Sequence, residues 1–143
     1  MRICGIDLTG SDAVLCVLIK DQGLFTLPDT KVRKLTLTKN HSRKDLQDFQ
    51  SALVDFLVEH SVDKVVIRER MHKGKFAGGA ISFKMEAAIE LISGIDVEVT
   101  LMSPTLIKAT LSEHPLPIPF ADTGLKKFQE IAFTTAYAGH MLK

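Results

Sequence analysis

The sequence predicts a single α/β domain over residues 1–143, built on a mixed five-stranded sheet with helices on both faces. Three observations lead to this class. The chain has 143 residues, 45% of them hydrophobic, which is enough for one core but not for two. Its beginning consists of short apolar runs separated by turn residues, as in an antiparallel meander. From residue 42 onward, helical and strand-like patterns alternate, which is typical of parallel strands joined by crossover helices.

The meander comprises three apolar, β-rich runs at residues 3–8, 13–19 and 24–27. Turns that contain glycine separate these runs and favour hairpins. A further alternating stretch, residues 32–38, forms either an outer strand or a continuation of the third strand beyond the turn at Pro28.

The rest of the chain predicts four helices and two strands. The helices are expected from residue 42 and at 80–92, 105–112 and 123–138, and the strands at 62–68 and 95–102. Ser42 with Asp45 three residues on is close to a capping box at the first helix, and Ser103 and Pro104 stand in N-cap and N1 order before the third. The proline-rich residues 114–120 cannot hold a helix.

Composition and cysteine placement point to the cytoplasm. Cys4 and Cys16 both lie in apolar strand-like runs, so each is expected to be a buried hydrophobe rather than half of a disulfide. Asp7 stands where a signal peptide would need its apolar core, and no apolar stretch approaches the roughly 18 residues of a membrane span. With 18 Lys+Arg against 17 Asp+Glu, any attraction to phosphate must come from a local patch.

Two carboxylates are candidates for a site. Asp7 stands among apolar residues of the first strand, and Glu69 directly follows the apolar residues 65–67. Neighbouring strands would bring the two acids to one rim, where their repulsion calls for a cation. Oxygen ligands without His or Cys select Mg²⁺ or Mn²⁺, which can activate water against a phosphodiester.

Each carboxylate also has a purely structural interpretation. Asp7 could cap backbone amides in the turn at Gly10, and Glu69 could pair with Arg68 or Arg70 at the end of its strand.

A basic, glycine-containing loop follows Glu69 and is a candidate nucleic-acid-binding loop. Its cationic or titratable members are Arg70, His72, Lys73 and Lys75, with Phe76 as a stacking surface. A flexible, solvated loop is an equally good interpretation of this composition. Lys108, in the predicted third helix, is a further candidate cation, although a lone helical lysine is usually only a surface residue.

Four motifs together resemble the RuvC-type branch of the RNase H-like superfamily, which are DNA-junction nucleases. They are GIDLTG from residue 5, VVIRE from residue 65, AISFKMEAAIEL from residue 80 and SPTLIKATL from residue 103. The resemblance implies that Asp7 and Glu69 bind two Mg²⁺ ions, that Lys108 lies near the DNA backbone and that the loop 70–79 contacts substrate. It also implies DNA rather than RNA as the ligand, and a homodimer.

In that family, the third acidic ligand stands at the start of the last helix. The last helix of this sequence departs from that pattern. The family's paired aspartates would fall near Lys127 and Glu130, and a helical wheel turns Glu130 away from the packable face. Asp122 is the other candidate third ligand, with an N-cap role as its alternative.

Three function classes therefore stay open. The first is a Mg²⁺-dependent endonuclease acting on structured or single-stranded nucleic acid. The second is a non-catalytic RNase H-like domain that binds nucleic acid or protein. The third takes residues 5–10 as the phosphate loop of an actin-like ATPase, which the presence of only one domain disfavours.

Overall fold

The computed structural model describes residues 1–38, 40–70 and 79–142. The elements are β1 (Arg2–Thr9), β2 (Asp12–Asp21), β3 (Leu24–Thr26), β4 (Lys34–Thr36), α1 (Arg43–Glu59), β5 (Lys64–Arg68), α2 (Ala80–Glu90), β6 (Glu98–Met102), α3 (Pro104–Glu113) and α4 (Glu130–Met141), with short 3₁₀ turns at Phe120–Asp122 and Lys127–Gln129. Within the described ranges no helix is both long enough and apolar enough to cross a membrane.

The sheet is mixed, with the order β3-β2-β1-β5-β6. β1 pairs antiparallel with β2, while β1, β5 and β6 run parallel. The predicted α/β class is confirmed. The sheet has a sixth strand because β4 pairs with the start of β2, whereas β3 pairs with its end. Residues 34–36 thus continue along the same side of β2 as the third strand, which was one of the two alternatives.

Helices cover both faces of the sheet. α1 and α2 contribute Phe49, Leu53 and Met85 to a core on one face, together with Cys4 and Ile6 of β1. α3 and α4 lie on the other face, where their buried residues form a core with Ile3, Cys16 and Val66. Alternate residues of each strand therefore enter different cores, as the two-residue period of a strand requires.

The helix starts and the cysteines agree with the sequence-based predictions. Ser42 caps α1 through a capping box with Asp45, and Ser103 caps α3 with Pro104 in its first turn. Cys4 and Cys16 are free and buried, and they belong to opposite cores. Burial raises the pKa of both thiols, that of Cys16 to about 12. Both residues act as hydrophobes.

The last helix begins at Glu130, seven residues after the predicted start at residue 123. Gly124 adopts φ +80°, which interrupts a right-handed helix, and residues 127–129 form a separate 3₁₀ turn. Asp122 ends an earlier 3₁₀ turn and caps no helix, so its predicted N-cap role is wrong.

Candidate functional site

The carboxyl edge of the sheet is the candidate site because three parallel strands end there together. The register pairs Ile6 of β1 with Ile67 of β5, and Arg68 with Met102 of β6. Continuing that register places Asp7 beside Arg68. Open α/β sheets bind ligands at this edge, so the position of Asp7 fits a functional role.

Asp7 is a nearly buried carboxylate, with 5% of its surface exposed. It shares the α4-facing side of β1 with Ile3 and Gly5. Within the described residues its carboxylate accepts no hydrogen bond, and its ionic partner is Arg70, whose Nη1 lies 3.9 Å from Oδ1. Burial raises the pKa of Asp7, and the charges of Arg68 and Arg70 oppose that shift. A buried carboxylate without hydrogen-bond donors costs stability, which is typical of a site residue.

The neighbours of Asp7 are arginines. Arg68 and Arg70 are two residues apart, so they share one side of the extended chain and both act on the Asp7 carboxylate. The side chain of Arg70 is 17% exposed, and its Nε is buried without a hydrogen-bond partner in the described chain. The guanidinium group of an arginine can also bind an oxyanion such as a phosphate.

Glu69 lies between the two arginines. Its backbone N–H donates to the carbonyl of Met102 at 2.8 Å, which extends the β5–β6 ladder by one residue. Alternation along that ladder directs Glu69 to the face opposite Arg68, the face that buries Val65 and Ile67. By this alternation Asp7 shares its side of the sheet with Arg68 and Arg70.

The two candidate third acids, Asp122 and Glu130, are both exposed. Asp122 is exposed in a 3₁₀ turn and lines a cavity that includes Leu18, whose register partner on β1 is Ile3. Ile3 precedes Asp7 by four residues, or about 13 Å of strand. Glu130 is exposed at the start of α4, as its helical wheel predicts.

The residue of this segment that reaches the sheet is Gln129, which is 1% exposed. Its Nε2 donates to the carbonyl of Leu15 at 3.0 Å, and its Oε1 accepts from the backbone N–H of Lys126. Because both groups of this amide have hydrogen-bond partners, Gln129 anchors the start of α4 to the sheet.

The predicted nucleic-acid contacts are placed only in part. Lys108 is exposed on α3, which begins at the carboxyl edge directly after β6. Arg70 lies beside Asp7. The predicted contacts His72, Lys73 and Lys75 lie outside the described residues.

A Mg²⁺ or Mn²⁺ site requires several oxygen ligands around one point. In the part of the chain that the structure describes, no group of three His, Cys, Asp or Glu side chains could hold a metal ion. The cation nearest to Asp7 there is the Arg70 guanidinium. The described residues therefore do not fit the predicted two-metal centre.

Sequence reasoning missed two residues that define the site. Arg68 was considered only as a partner for Glu69, although the two-residue period of a strand places Arg68 and Arg70 on a common face. Gln129 carried no signal because a glutamine at the start of a helix is ordinarily solvated.

The comparisons with known proteins give a family and a fold. A family model described as "Protein of unknown function (DUF3010)" matches residues 1–139. A search of the curated proteins gives no match.

Among solved structures, the Thermus thermophilus RuvC structure has a TM-score of 0.75 at 12% identity, covering 99% of this chain and 94% of that one. T. thermophilus RuvC in complex with Holliday junction substrate has a TM-score of 0.67 at 12% identity, covering 99% and 93%. The fowlpox virus resolvase in complex with Holliday junction DNA has a TM-score of 0.57 at 15% identity, covering both chains completely. The predicted RNase H-like fold of the RuvC type is thereby confirmed.

Proposed function

The chain belongs to the DUF3010 family, and we propose that it binds DNA at the carboxyl edge of its sheet without hydrolysing it. The observation that carries this proposal is the arginine pair beside Asp7. Arg70 lies 3.9 Å from the carboxylate, at the point where the resemblance called for a metal ion. A fixed guanidinium supplies positive charge to a phosphodiester but does not lower the pKa of a bound water as a metal ion does.

The ligand follows from charge and fold together. The edge presents Arg68, Arg70 and, on the helix that follows β6, the exposed Lys108. Guanidinium groups suit phosphate oxygens, which make up much of any protein–DNA contact. The T. thermophilus RuvC and fowlpox resolvase structures of the same fold hold Holliday junctions, which supports branched DNA as the first ligand to test.

The test is fluorescence anisotropy with labelled four-way-junction, duplex and single-stranded DNA and with matched RNA, each in EDTA and in Mg²⁺. We expect DNA to bind equally well in both buffers and affinity to fall as salt rises, because phosphate contacts release counterions. Arg70→Glu and the double reversal Lys73→Glu/Lys75→Glu should each weaken binding by about tenfold or more. Asp7→Asn should leave the affinity within about twofold.

A matched control separates this surface from general charge. Arg43 is exposed at the start of α1, on the other face of the sheet, so Arg43→Glu changes the net charge equally. Its affinity should remain close to that of the wild type. An equal loss in Arg43→Glu, or a failure to bind any nucleic acid, rejects the proposal. Arg70→Gln serves as the second variant if Arg70→Glu does not fold.

A second candidate function is Mg²⁺-dependent cleavage of DNA, favoured by one observation. Asp7 is buried with no hydrogen bond from the described residues, a costly state that a bound cation would relieve. Incubation of junction, flapped and single-stranded substrates with Mg²⁺ or Mn²⁺ tests it. Cleavage that is lost in Asp7→Asn would establish this function, and Glu69→Gln, Asp122→Asn and Glu130→Gln would then identify the other ligands. Intact substrates with both metals exclude it.

The homodimer implied by the resemblance is part of the same proposal. Sedimentation equilibrium with and without junction DNA measures it directly, and a two-fold symmetric protein suits a four-way junction.

A further inference from the structure

A cavity of about 420 Å³ lies at the end of β2 remote from the Asp7 site. Leu18 forms part of its wall, and the register of β1 with β2 places Leu18 opposite Ile3 rather than near Asp7. β3, the segment at residues 117–123 and α4 form the remaining walls. Its size falls in the range of small-molecule sites. The nucleic-acid proposal assigns it no role.

Aromatic rings form much of the inner wall. Phe133 and Tyr137 of α4 are buried, and the ring of Phe25 contacts that of Tyr137 with centroids 5.2 Å apart. The Tyr137 hydroxyl donates to the carbonyl of Pro115 at 2.9 Å, which fixes that ring. Such a wall is preformed, so an apolar ligand entering it orders little protein.

The rim carries a negative charge. Asp122 is exposed and is the sole charged residue among the described ones that line the cavity. It has no salt-bridge partner within the described chain. At the Phe25 end of the cavity the Lys20 ammonium lies 5.5 Å from the centroid of that ring, which therefore already has a cation beside it. The Asp122 carboxylate therefore favours a ligand whose positive charge lies at the rim, away from Phe25.

We propose that this cavity binds a small organic ammonium compound, with its apolar body against Phe25, Phe133 and Tyr137 and its ammonium group at Asp122. The compound carries one apolar ring or chain, since the described lining residues other than Asp122 are uncharged. The site is independent of nucleic-acid binding, because its residues lie at the opposite end of β1 from Asp7.

The test is a chemical-shift titration of the full chain with 2-phenylethylammonium and with neutral 2-phenylethanol, which differs in its polar end. We expect saturable binding of the ammonium compound with a Kd on the order of 1 mM, and about threefold weaker binding of the alcohol. Asp122→Asn should lower the affinity for the ammonium compound to that of the alcohol. It should leave the alcohol unaffected.

Two further variants make the result decisive. Ile118, a half-exposed wall residue, contributes apolar contact only, so Ile118→Ser should weaken both compounds alike. Asp21→Asn removes an exposed carboxylate that does not line the cavity and should change neither. The proposal is overturned if neither compound binds, if the two bind equally to the wild type, or if Asp122→Asn keeps the preference for the ammonium compound. Shift changes confined to other surfaces overturn it as well.

Discussion

The two faces of strand β1 place different requirements on their residues. Cys4, Ile6 and Leu8 face α1 and α2 and are wholly buried among hydrophobic residues. On the other side, facing α4, Gly5 and Asp7 follow Ile3. The first side needs only apolar volume. The second side has no room for a side chain at Gly5 and holds a poorly solvated charge at Asp7. Substitutions on that side are therefore restricted by more than apolar volume.

The largest effect is expected from Gly5→Ala. A Cβ at this position would overlap the carbonyl oxygen of Ala132 and lie 2.7 Å from the nitrogen of Ala136. Both atoms belong to the backbone of α4, so the helix would have to move away from the sheet. We expect a loss of more than about 4 kcal/mol of unfolding free energy, measured by urea denaturation.

Gly79→Ala is the control for that variant. Gly79 has an ordinary negative φ, and no atom lies within 4 Å of the Cβ that alanine would add. Its unfolding free energy should stay within about 0.5 kcal/mol of the wild type. A comparable loss in the two variants would mean that the approach of α4 does not limit residue 5.

On the apolar side, Ile6→Ala should cost about 3 kcal/mol, the typical loss for removing a buried branched side chain. Ile6 is wholly buried, so the lost methyl groups leave a cavity between the sheet and α1. Ile6→Val should cost about 1 kcal/mol in the same urea experiment. If the side of β1 that faces α1 and α2 requires only apolar volume, the loss of unfolding free energy should increase with the volume removed. Equal losses in Ile6→Val and Ile6→Ala would contradict this.

Asp7→Asn is expected to stabilise the protein at neutral pH. Burial raises the pKa of Asp7 above its ordinary 3.8, so the folded state holds this proton more tightly than the unfolded chain does. The wild type therefore loses stability as pH rises from 3.8 through the raised pKa. The Asp7→Asn variant does not have this loss. Its free energy of unfolding should exceed that of the wild type by on the order of 1 kcal/mol at pH 7 and equal it near pH 3.

Asp45 is a control, because its pKa is shifted in the direction opposite to that of Asp7. Its hydrogen bonds with Ser42 in the capping box lower the pKa of its carboxyl. It contributes stability above its ordinary pKa of 3.8, and that stability is lost as pH falls through the lowered value. Asp45→Asn should therefore be less stable than the wild type at pH 7. If Asp7→Asn behaves in the same way, the attraction of Arg68 and Arg70 outweighs burial at Asp7.

The parts of the fold that local pattern determines were predictable. The capping box at Ser42 and the apolar alternation of β1 are properties of a few adjacent residues. The last helix was misplaced because two separate features delay its start to Glu130. Gly124 takes a left-handed conformation, and Gln129 bonds to Leu15, which is distant in sequence.

The neighbours of Asp7 were harder to predict because they depend on a register between strands far apart in the chain. Arg68, Glu69 and Arg70 alternate between the two faces of the sheet, so a shift of one residue would exchange the arginines for the acid. The sequence shows the alternation. It does not show that Ile6 pairs with Ile67, which is what brings the arginines to Asp7.

The smallest change in stability is expected from Glu130→Gln. Glu130 is an exposed acid, whereas Asp7 is buried. Glu130 lies in the first turn of α4, where a negative charge interacts favourably with the helix dipole. Its loss should cost about 0.3–0.5 kcal/mol at low salt and nothing measurable at high salt, because exposed charges are screened. The sign is thus opposite to that of Asp7→Asn at pH 7, although both variants replace a carboxylate by an amide. A stabilised Glu130→Gln, or one whose effect survives high salt, would mean that Glu130 lies in a desolvated site with Asp7 and would reopen the metal-ligand interpretation.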